Sequence, residues 1–536
     1  MKRTALVIAA SLGVAVVLGC NILDTEPLGT LTDQTFYQTE KDFDAATLAP
    51  YSTMLNLTYD QFGTGWWDGF LLPDDNVQYR DPNRENDVFN WSANNVDFTW
   101  AWATAYKGVM RANVVLDQLP KATKFADPTK KPRYEAEAKF MRAWWYFLLA
   151  RNWGDVPIVT SVPTSIAATQ VGNSQPGEVW DLIESDLDFA ATNLPTDYGA
   201  EKGRATRYTA LALLGKVEVY RAQWFNQPAK YQEAITHLTA AAAGPFNLVP
   251  DYGDNFRDGT ENNSESLFEV QATVGDNINA WGATDLGGAA GHAWPIYVSP
   301  SCYYGTGGGC APKAWGEGYG QIDITASLAA EFEARDPRRF YTMYSGGESY
   351  CACGTNNAMV VYDSLWSRTG HTPAKYDRPF DPNRFPNNLS TDNLRLIRLA
   401  DVLLLLAEAK LLGNNDVPGA AALVNQVRAR ARQTYRIVSN TTDTTGVLPD
   451  VPASGATNTW FVTYLAHERR VELALEDAYR YDDLVRWHRA GLITLPTAVT
   501  FGFPESNTNW QPRNLLKPIP QRELDVNPKL KQNTGY

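Results

Sequence analysis

Gly63-Thr-Gly-Trp66-Trp67-Asp68 runs on into Leu72-Pro-Asp74-Asp75-Asn76, and these residue types could grip a sugar. A pyranose presents an apolar C–H face and a rim of hydroxyls. An exposed indole offers a flat matching surface with few rotatable bonds. Asp and Asn carry the donors and acceptors that the rim needs. Two adjacent tryptophans bounded by glycine cannot both enter one small core, so one of them is expected to face solvent. Trp66, Trp67, Asp74 and Asn76 are therefore candidate ligand contacts.

Constellations for covalent chemistry are poorer. His467-Glu468 is followed by Arg-Arg-Val, so the second histidine of a zinc protease helix is missing. There is no G-x-S-x-G elbow. The Gly305-Thr-Gly-Gly-Gly309 run leads to Cys310 and Pro312 rather than opening a helix, which argues against a phosphate cradle. Asp74 and Asp75 are adjacent, and in extended chain they point to opposite sides instead of facing one another across a glycosidic bond. Neither Asp74-Asp75-Asn76 nor Asp251, Asp254 and Asp258 follows an EF-hand spacing. The residues thus point to a chain that is not an enzyme and needs no metal or cofactor.

The chain opens with Lys2 and Arg3, an apolar run to Leu18, and then Gly19-Cys20. A basic start, an apolar stretch of this length and a small-residue cleavage site read as a secretory signal over 1–19. Val17-Leu18-Gly19-Cys20 resembles a lipobox, in which the Cys20 thiol takes a diacylglycerol and several buried acyl chains give a stable anchor. No later apolar stretch reaches spanning length, so membrane contact through the lipid alone is expected. A net charge of -13 argues against polyanionic partners such as nucleic acid. Cys302, Cys310, Cys351 and Cys353 lie in two Gly-rich stretches, and export favours disulfides between them. A bridge between Cys351 and Cys353 would be strained, and three connectivities stay open. A four-thiolate zinc site is the rival, without the usual C-x₂-C knuckles.

Most of the sequence that must position these residues is helical. Arg133 to Asn152 places Ala136, Phe140, Ala143, Trp144, Phe147 and Leu148 on one face, with Gly154 as a C-cap and Pro157 barring continuation. Similar segments cover 42–58, 97–119, 176–192, 206–224, 229–243, 394–412, 417–432, 459–476 and 478–490. They come largely in pairs near 35 residues long, which predicts a mainly α, tetratricopeptide-like scaffold of about four helical pairs. Glu476 with Arg480, and Asp482 with Arg486, are expected to pair along a helix at i,i+4. Between 246 and 390 helical period is lost, and Gly, Asn, Tyr and Trp dominate a loop-rich insert with minor β, its clearest strand at Ser266–Gln271.

Block after block of this chain resembles the SusD/RagB family. The similar segments begin with Asn21-Ile-Leu-Asp24-Thr25-Glu26-Pro27 and include Glu135 to Tyr146 followed by Asn152-Trp-Gly-Asp-Val-Pro157. They continue with Asn263 to Gln271, Asp336-Pro-Arg-Arg339, Ile397 to Leu404, Glu468 to Leu473 and Pro518 to Leu524, and close with Gln532-Asn-Thr-Gly-Tyr536. The resemblance implies one domain over 20–536, in N-terminal (21–245), insert (246–390) and C-terminal (391–536) parts. It also implies a lipid-anchored protein of the cell outer membrane, facing the exterior. Such a protein captures an oligosaccharide and delivers it to a TonB-dependent, SusC-like transporter without catalysis. The family's ligand platform draws on the Trp66-Trp67 region and the insert, which adds Trp281, Trp294, Tyr297, Tyr304 and Trp315 as candidate contacts. Alternative readings are a helical-repeat interaction scaffold and a glycoside hydrolase.

Overall fold

The structure, a computed structural model, describes residues 36–58, 73–257, 259–272, 294–299, 319–352, 358–376, 392–476 and 479–536. Its frame is a row of helices: α1 (Glu40–Ala46), α2 (Leu48–Thr58), α3 (Val96–Gln118), α4 (Lys131–Trp153), α5 (Glu178–Asn193), α6 (Arg207–Trp224), α7 (Lys230–Ala242), α8 (Leu399–Asn414) and α9 (Val417–Val438). From α2 to α9 each helix packs on its neighbours in sequence, so α2–α3, α4–α5, α6–α7 and α8–α9 form four stacked pairs. This is the expected tetratricopeptide-like architecture. Polar side chains fix the starts. Asn95 accepts from the Phe98 N–H, Thr206 forms a capping box with Thr209, and Asp416 accepts from the Gly419 N–H ahead of α9. Gly154 ends α4 at φ 77, as its position in the sequence predicts.

Helix α4 lies at the centre of the row. From Ala136 to Trp153 all its residues except Lys139 are buried, Trp144, Trp145 and Tyr146 among them. A helix covered on every side must sit between neighbours rather than on a surface. Gly108 of α3 makes one of those approaches possible, because a Cβ there would stand 2.2 Å from the Trp145 indole nitrogen.

The insert enters between α7 and α8, ahead of the last pair. Its described residues form short antiparallel ladders rather than one sheet: β1 (Val77–Tyr79) with β3 (Ile322–Ile324), β2 (Ser266–Val270) with β8 (Leu394–Arg398), β4 (Met343–Ser345) with β7 (His371–Pro373), and β5 (Ser349–Ala352) with β6 (Ala358–Val361). Strand β2 matches expectation. Strand β8 corrects it: the helix expected from 394 starts only at Leu399, because Leu394–Arg398 pairs with β2. Tyr344, Tyr350, Tyr362 and Trp366 make a separate aromatic core for the module that holds β4 to β7.

After α9 come α10 (Ala466–Leu473) and α11 (Tyr479–Arg489), followed by the short helices Pro504–Asn509 and Gln521–Val526. A second correction lies here. Helix α10 stops at Leu473 and Leu475 has a φ of 66, so Glu476 and Arg480 do not share a helix. Glu476 binds Arg398 and Lys375, while Arg480 binds Asp75. Asp482 and Arg486 do share α11, but Asp482 pairs with Arg151 at 2.6 Å and Arg486 turns to Glu408 and Asp483. Buried partners on other elements win over a solvated i,i+4 pair, which is worth only ~0.2–0.5 kcal/mol. Among the described residues no helix is long and apolar enough to cross a membrane.

Candidate functional site

The described residues that flank the aromatic-rich segments are tied into one framework. Ladder β1–β3 joins the chain leaving segment 59–72 to the chain leaving 300–318, and the Thr325 N–H donates to the Asn76 carbonyl at 2.9 Å. The Gln321 N–H donates to the Tyr297 carbonyl at 2.8 Å, so the two flanks of 300–318 meet. The Ala272 N–H donates to Asn393 Oδ1 at 2.8 Å, which brings the start of 273–293 beside the end of 377–391. The other ends of those two segments meet where Trp294 Nε1 donates to the Lys375 carbonyl at 3.2 Å. The β4–β7 module joins through Arg80, whose Nη2 donates to the Trp366 carbonyl at 2.6 Å. A rigid base of this kind is what binding loops need if their aromatics are to be held in place before ligand arrives.

Several expected contacts belong to that base and not to an open surface. Asp75 is clasped by Arg480, Nε to Oδ1 at 2.6 Å and Nη2 to Oδ2 at 2.8 Å. Arg470 Nε donates to Asn76 Oδ1 at 2.9 Å. Asp74 Oδ1 accepts the N–H groups of Asn76 at 2.7 Å and Val77 at 3.1 Å. Burial, together with the neighbouring Asp75 charge, pushes the Asp74 carboxyl up to about 7. Asp74 and Asn76 are thus buried anchors for β1 where ligand contacts were expected. Trp294 is likewise a core residue, 0% exposed. Tyr297 is 8% exposed and packs edge to face, ring centroids 5.7 Å apart, against the half-buried Tyr319. Trp66, Trp67, Trp281, Tyr304 and Trp315 lie outside the described residues, as do Cys20, Cys302, Cys310 and Cys353. Cys351 falls in β5, opposite Met359.

Beneath the base lies a buried ion network that sequence reading missed. Glu472, at the end of α10, receives Arg398 Nη1 at 2.7 Å, Arg338 Nη1 at 3.0 Å and the Arg430 guanidinium. Arg398 also reaches Glu265 at 2.7 Å and Glu476 at 2.6 Å, and Arg338 reaches Asp336 at 2.8 Å and Glu468 at 2.5 Å. Burial works against the Glu472 charge, but the Arg430, Arg398 and Arg338 cations outweigh it and hold the carboxyl far below its usual range. Burial lowers Lys375 to about 8 despite Glu476 beside it. His467 is opposed by burial yet raised to about 9 by its hydrogen bonds to Glu331 and Glu333. The carboxylates of this network are closed off from solvent and committed to guanidinium groups, so their chemistry is architectural. They connect the start of β2, the insert, β8, α9 and α10. The only sequence signal was the abundance of Arg and Glu in segments whose apolar neighbours are core, which marks burial without naming partners.

Among the described residues no group of three or more His, Cys, Asp or Glu side chains could hold a metal ion. On the surface of the β4–β7 module, Met359 is 61% exposed, and Val361 and Leu365 are also open to solvent.

The sequence profile of the SusD family matches residues 259–536, and a profile described as "Starch-binding associating with outer membrane" matches 74–219. A SusD-like protein of Formosa agariphila is 26% identical over 96% of this chain and 96% of its own. A SusD-like protein of Bacteroides ovatus is 26% identical over 91% of this chain and 83% of its own. Among solved structures, a laminarin binding SusD-like protein superposes with a TM-score of 0.72 at 25% identity, covering 93% of this chain and 100% of that one.

Proposed function

Because the chain belongs to the SusD family, we propose that it captures a glycan at the outer membrane and hands it to a TonB-dependent transporter, without cleaving it. The profile matching 74–219 is named for starch binding and outer-membrane association, and a structural relative is named for binding laminarin. Carbohydrate is accordingly the ligand class that these relatives support. The observation that carries the reading is the shared base: the flanks of the Gly- and Trp-rich segments are tied into one framework fixed to a helical scaffold. Trp66, Trp67, Trp281, Tyr304 and Trp315 would supply the stacking faces. Cys20 would carry the lipid anchor and leave the protein facing the exterior. Cys302, Cys310, Cys351 and Cys353 would cross-link the loops. The helical face would dock the barrel, since packed pairs offer the rigidity that Gly-rich loops lack.

Native affinity electrophoresis over a panel that includes laminarin, starch and xyloglucan tests the reading. Retardation without new reducing ends is expected. New reducing ends would make the protein a hydrolase, and no retardation in any gel would leave an interaction scaffold.

A further inference from the structure

Among the described residues, a trough walled by none of the candidate ligand residues runs between α2, the turn joining α5 to α6, and β2. One end, about 560 Å³, is walled by Leu48, Tyr51, Met54 and Val270. The other, about 420 Å³, is walled by Thr196, Phe246, Asn263 and Ser266. Both include Lys202, Asn262 and Glu269, so the two hollows adjoin, each within the size range of ligand clefts.

Its walls are fixed in advance. Asn262 adopts a left-handed backbone, φ 53, and its amide exchanges two hydrogen bonds with Gln271, Nδ2 to Oε1 at 3.0 Å and Nε2 to Oδ1 at 3.1 Å. Gly203 admits Gln271 to that position, because a Cβ there would stand 2.4 Å from Gln271 Cγ. Phe246 is braced edge to face by Tyr208, ring centroids 5.7 Å apart.

Charge is balanced along the trough. Lys202 pairs with Asp197 at 3.0 Å, Glu201 pairs with Arg204, and the buried Glu269 accepts the Asn262 N–H at 3.0 Å and Asn393 Nδ2 at 2.8 Å. Among the described residues of the trough no uncompensated cation is left for a sulfate or uronate. What remains is charge-compensated hydrogen-bonding capacity. The hydroxyls of Thr196 and Ser266 make no bond among the described residues, and the Lys202 ammonium spends one N–H on Asp197. Half-buried aromatic rings flank these groups, Tyr51 at one end and Phe246 at the other.

An aromatic ring at each end, with hydroxyl, amide and charge-compensated ammonium groups beside it, complements a sugar chain better than a peptide or an acid. We infer that this trough is a second carbohydrate-binding site, taking a neutral oligosaccharide, with ring faces on Tyr51 and Phe246 and hydroxyls on Asn262, Lys202, Ser266 and Thr196. The inference rests on the proposed glycan-binding function and adds a site built on α2, the turn joining α5 to α6, and β2, one suited to holding a second stretch of a long polymer.

The test compares the full-length chain with two variants, Lys202→Ala/Asn262→Gly in the trough and Trp66→Ala/Trp67→Ala in the loop. Glycine keeps the positive φ at 262, and equal melting temperatures certify folding. The probes are α-1,4- and β-1,3-linked glucohexaoses by calorimetry, and the parent polysaccharides by affinity electrophoresis. The wild type should bind two hexaoses per chain. The trough variant should bind one and lose at least fivefold in polysaccharide affinity, whereas the loop variant keeps the trough site. A trough variant indistinguishable from wild type overturns the second site and leaves the loop reading standing. A loop variant with unaltered binding beside a trough variant that binds nothing upholds the trough and overturns the loop reading. No binding by the wild type to either glucan overturns both.

Discussion

Helix α4 and the β4–β7 module are two ways of holding aromatic residues still. In α4, Trp145 lies against Gly108 of α3 and Phe147 packs edge to face on Trp180 of α5, while Phe140 and Trp144 also meet Phe268 of β2. In the module, Tyr344, Tyr350, Tyr362 and Trp366 form a small core of their own. That core is joined to β1 and β3 through Arg80 and through the Arg368 N–H, which donates to Asp323 at 3.1 Å. The first arrangement is mostly local and repeats. The second depends on single long-range ties, and the largest cluster of these converges on Glu472. The difference teaches that the aromatics of α4 are held mainly by packed area, whereas the insert's place against the scaffold depends also on buried charge.

Four experiments would break or sharpen that contrast, and the largest effect is expected at the network. Arg398→Ala takes one cation from each of Glu472, Glu476 and Glu265 in a buried site, and loss of one partner from such a cluster costs ~3–5 kcal/mol. Urea denaturation should show a collapse in stability. A change below ~1 kcal/mol, the scale of an exposed pair, would mean that charge does not hold the insert.

Next comes Trp66→Ala with Trp67→Ala, which should weaken glycan binding at least tenfold, or ~1.4 kcal/mol, with the melting temperature unchanged. Co-purification with the barrel should persist. Loss of the complex with affinity intact would reverse the assignment of faces.

Cys351→Ser with Cys353→Ser should weaken glycan binding more than it lowers the melting temperature of the scaffold, since the proposed cross-links restrict the insert and not the helical pairs. Mass spectrometry of the unreduced protein gives the direct reading, and four free thiols would remove the rationale.

The smallest effect concerns Asp74. Its carboxyl is raised from 3.8 to about 7 in the fold, so between those values the folded chain binds more protons than the unfolded chain. This group therefore favours folding at low pH, and its contribution is lost as pH rises from about 4 to about 7. Asp74→Asn should remove that slope and raise the melting temperature at pH 7.5 by about 1–2 °C. An unchanged pH profile would show that Asp75 and Arg480 already set the ionisation there.

Reading the sequence recovered what repeats. The bounds of α3 to α7, the Gly154 cap and β2 were legible because apolar spacing and capping residues act within a few positions of themselves. Leu394–Arg398 was read as helix because a short apolar run fits either element, and only pairing with Ser266–Val270 decides it. Asp74 and Asn76 looked like a binding rim because polar residues beside a Gly-rich loop normally are one. Arg470 and Arg480, roughly 400 positions away, make them internal. Periodicity carries no trace of such partners. The SusD-like family was legible throughout, and some of its motifs contain residues of this network, Arg338, Arg398 and Glu472 among them.

The site at which the insert enters has a consequence for how the molecule can change. Helices α7 and α8 pack side by side, although α7 ends at Ala242 and α8 begins only at Leu399. The entropic cost of closing an excursion of this kind grows with the logarithm of its length, ~0.6 kcal/mol for each doubling. Lengthening, trimming or rewriting the segments between 273 and 391 thus taxes the junction very little, provided that Arg338, Lys375 and the strands at each end are kept. Ancestral chains could exchange one ligand surface for another there while the helices before and after the excursion continued to find each other.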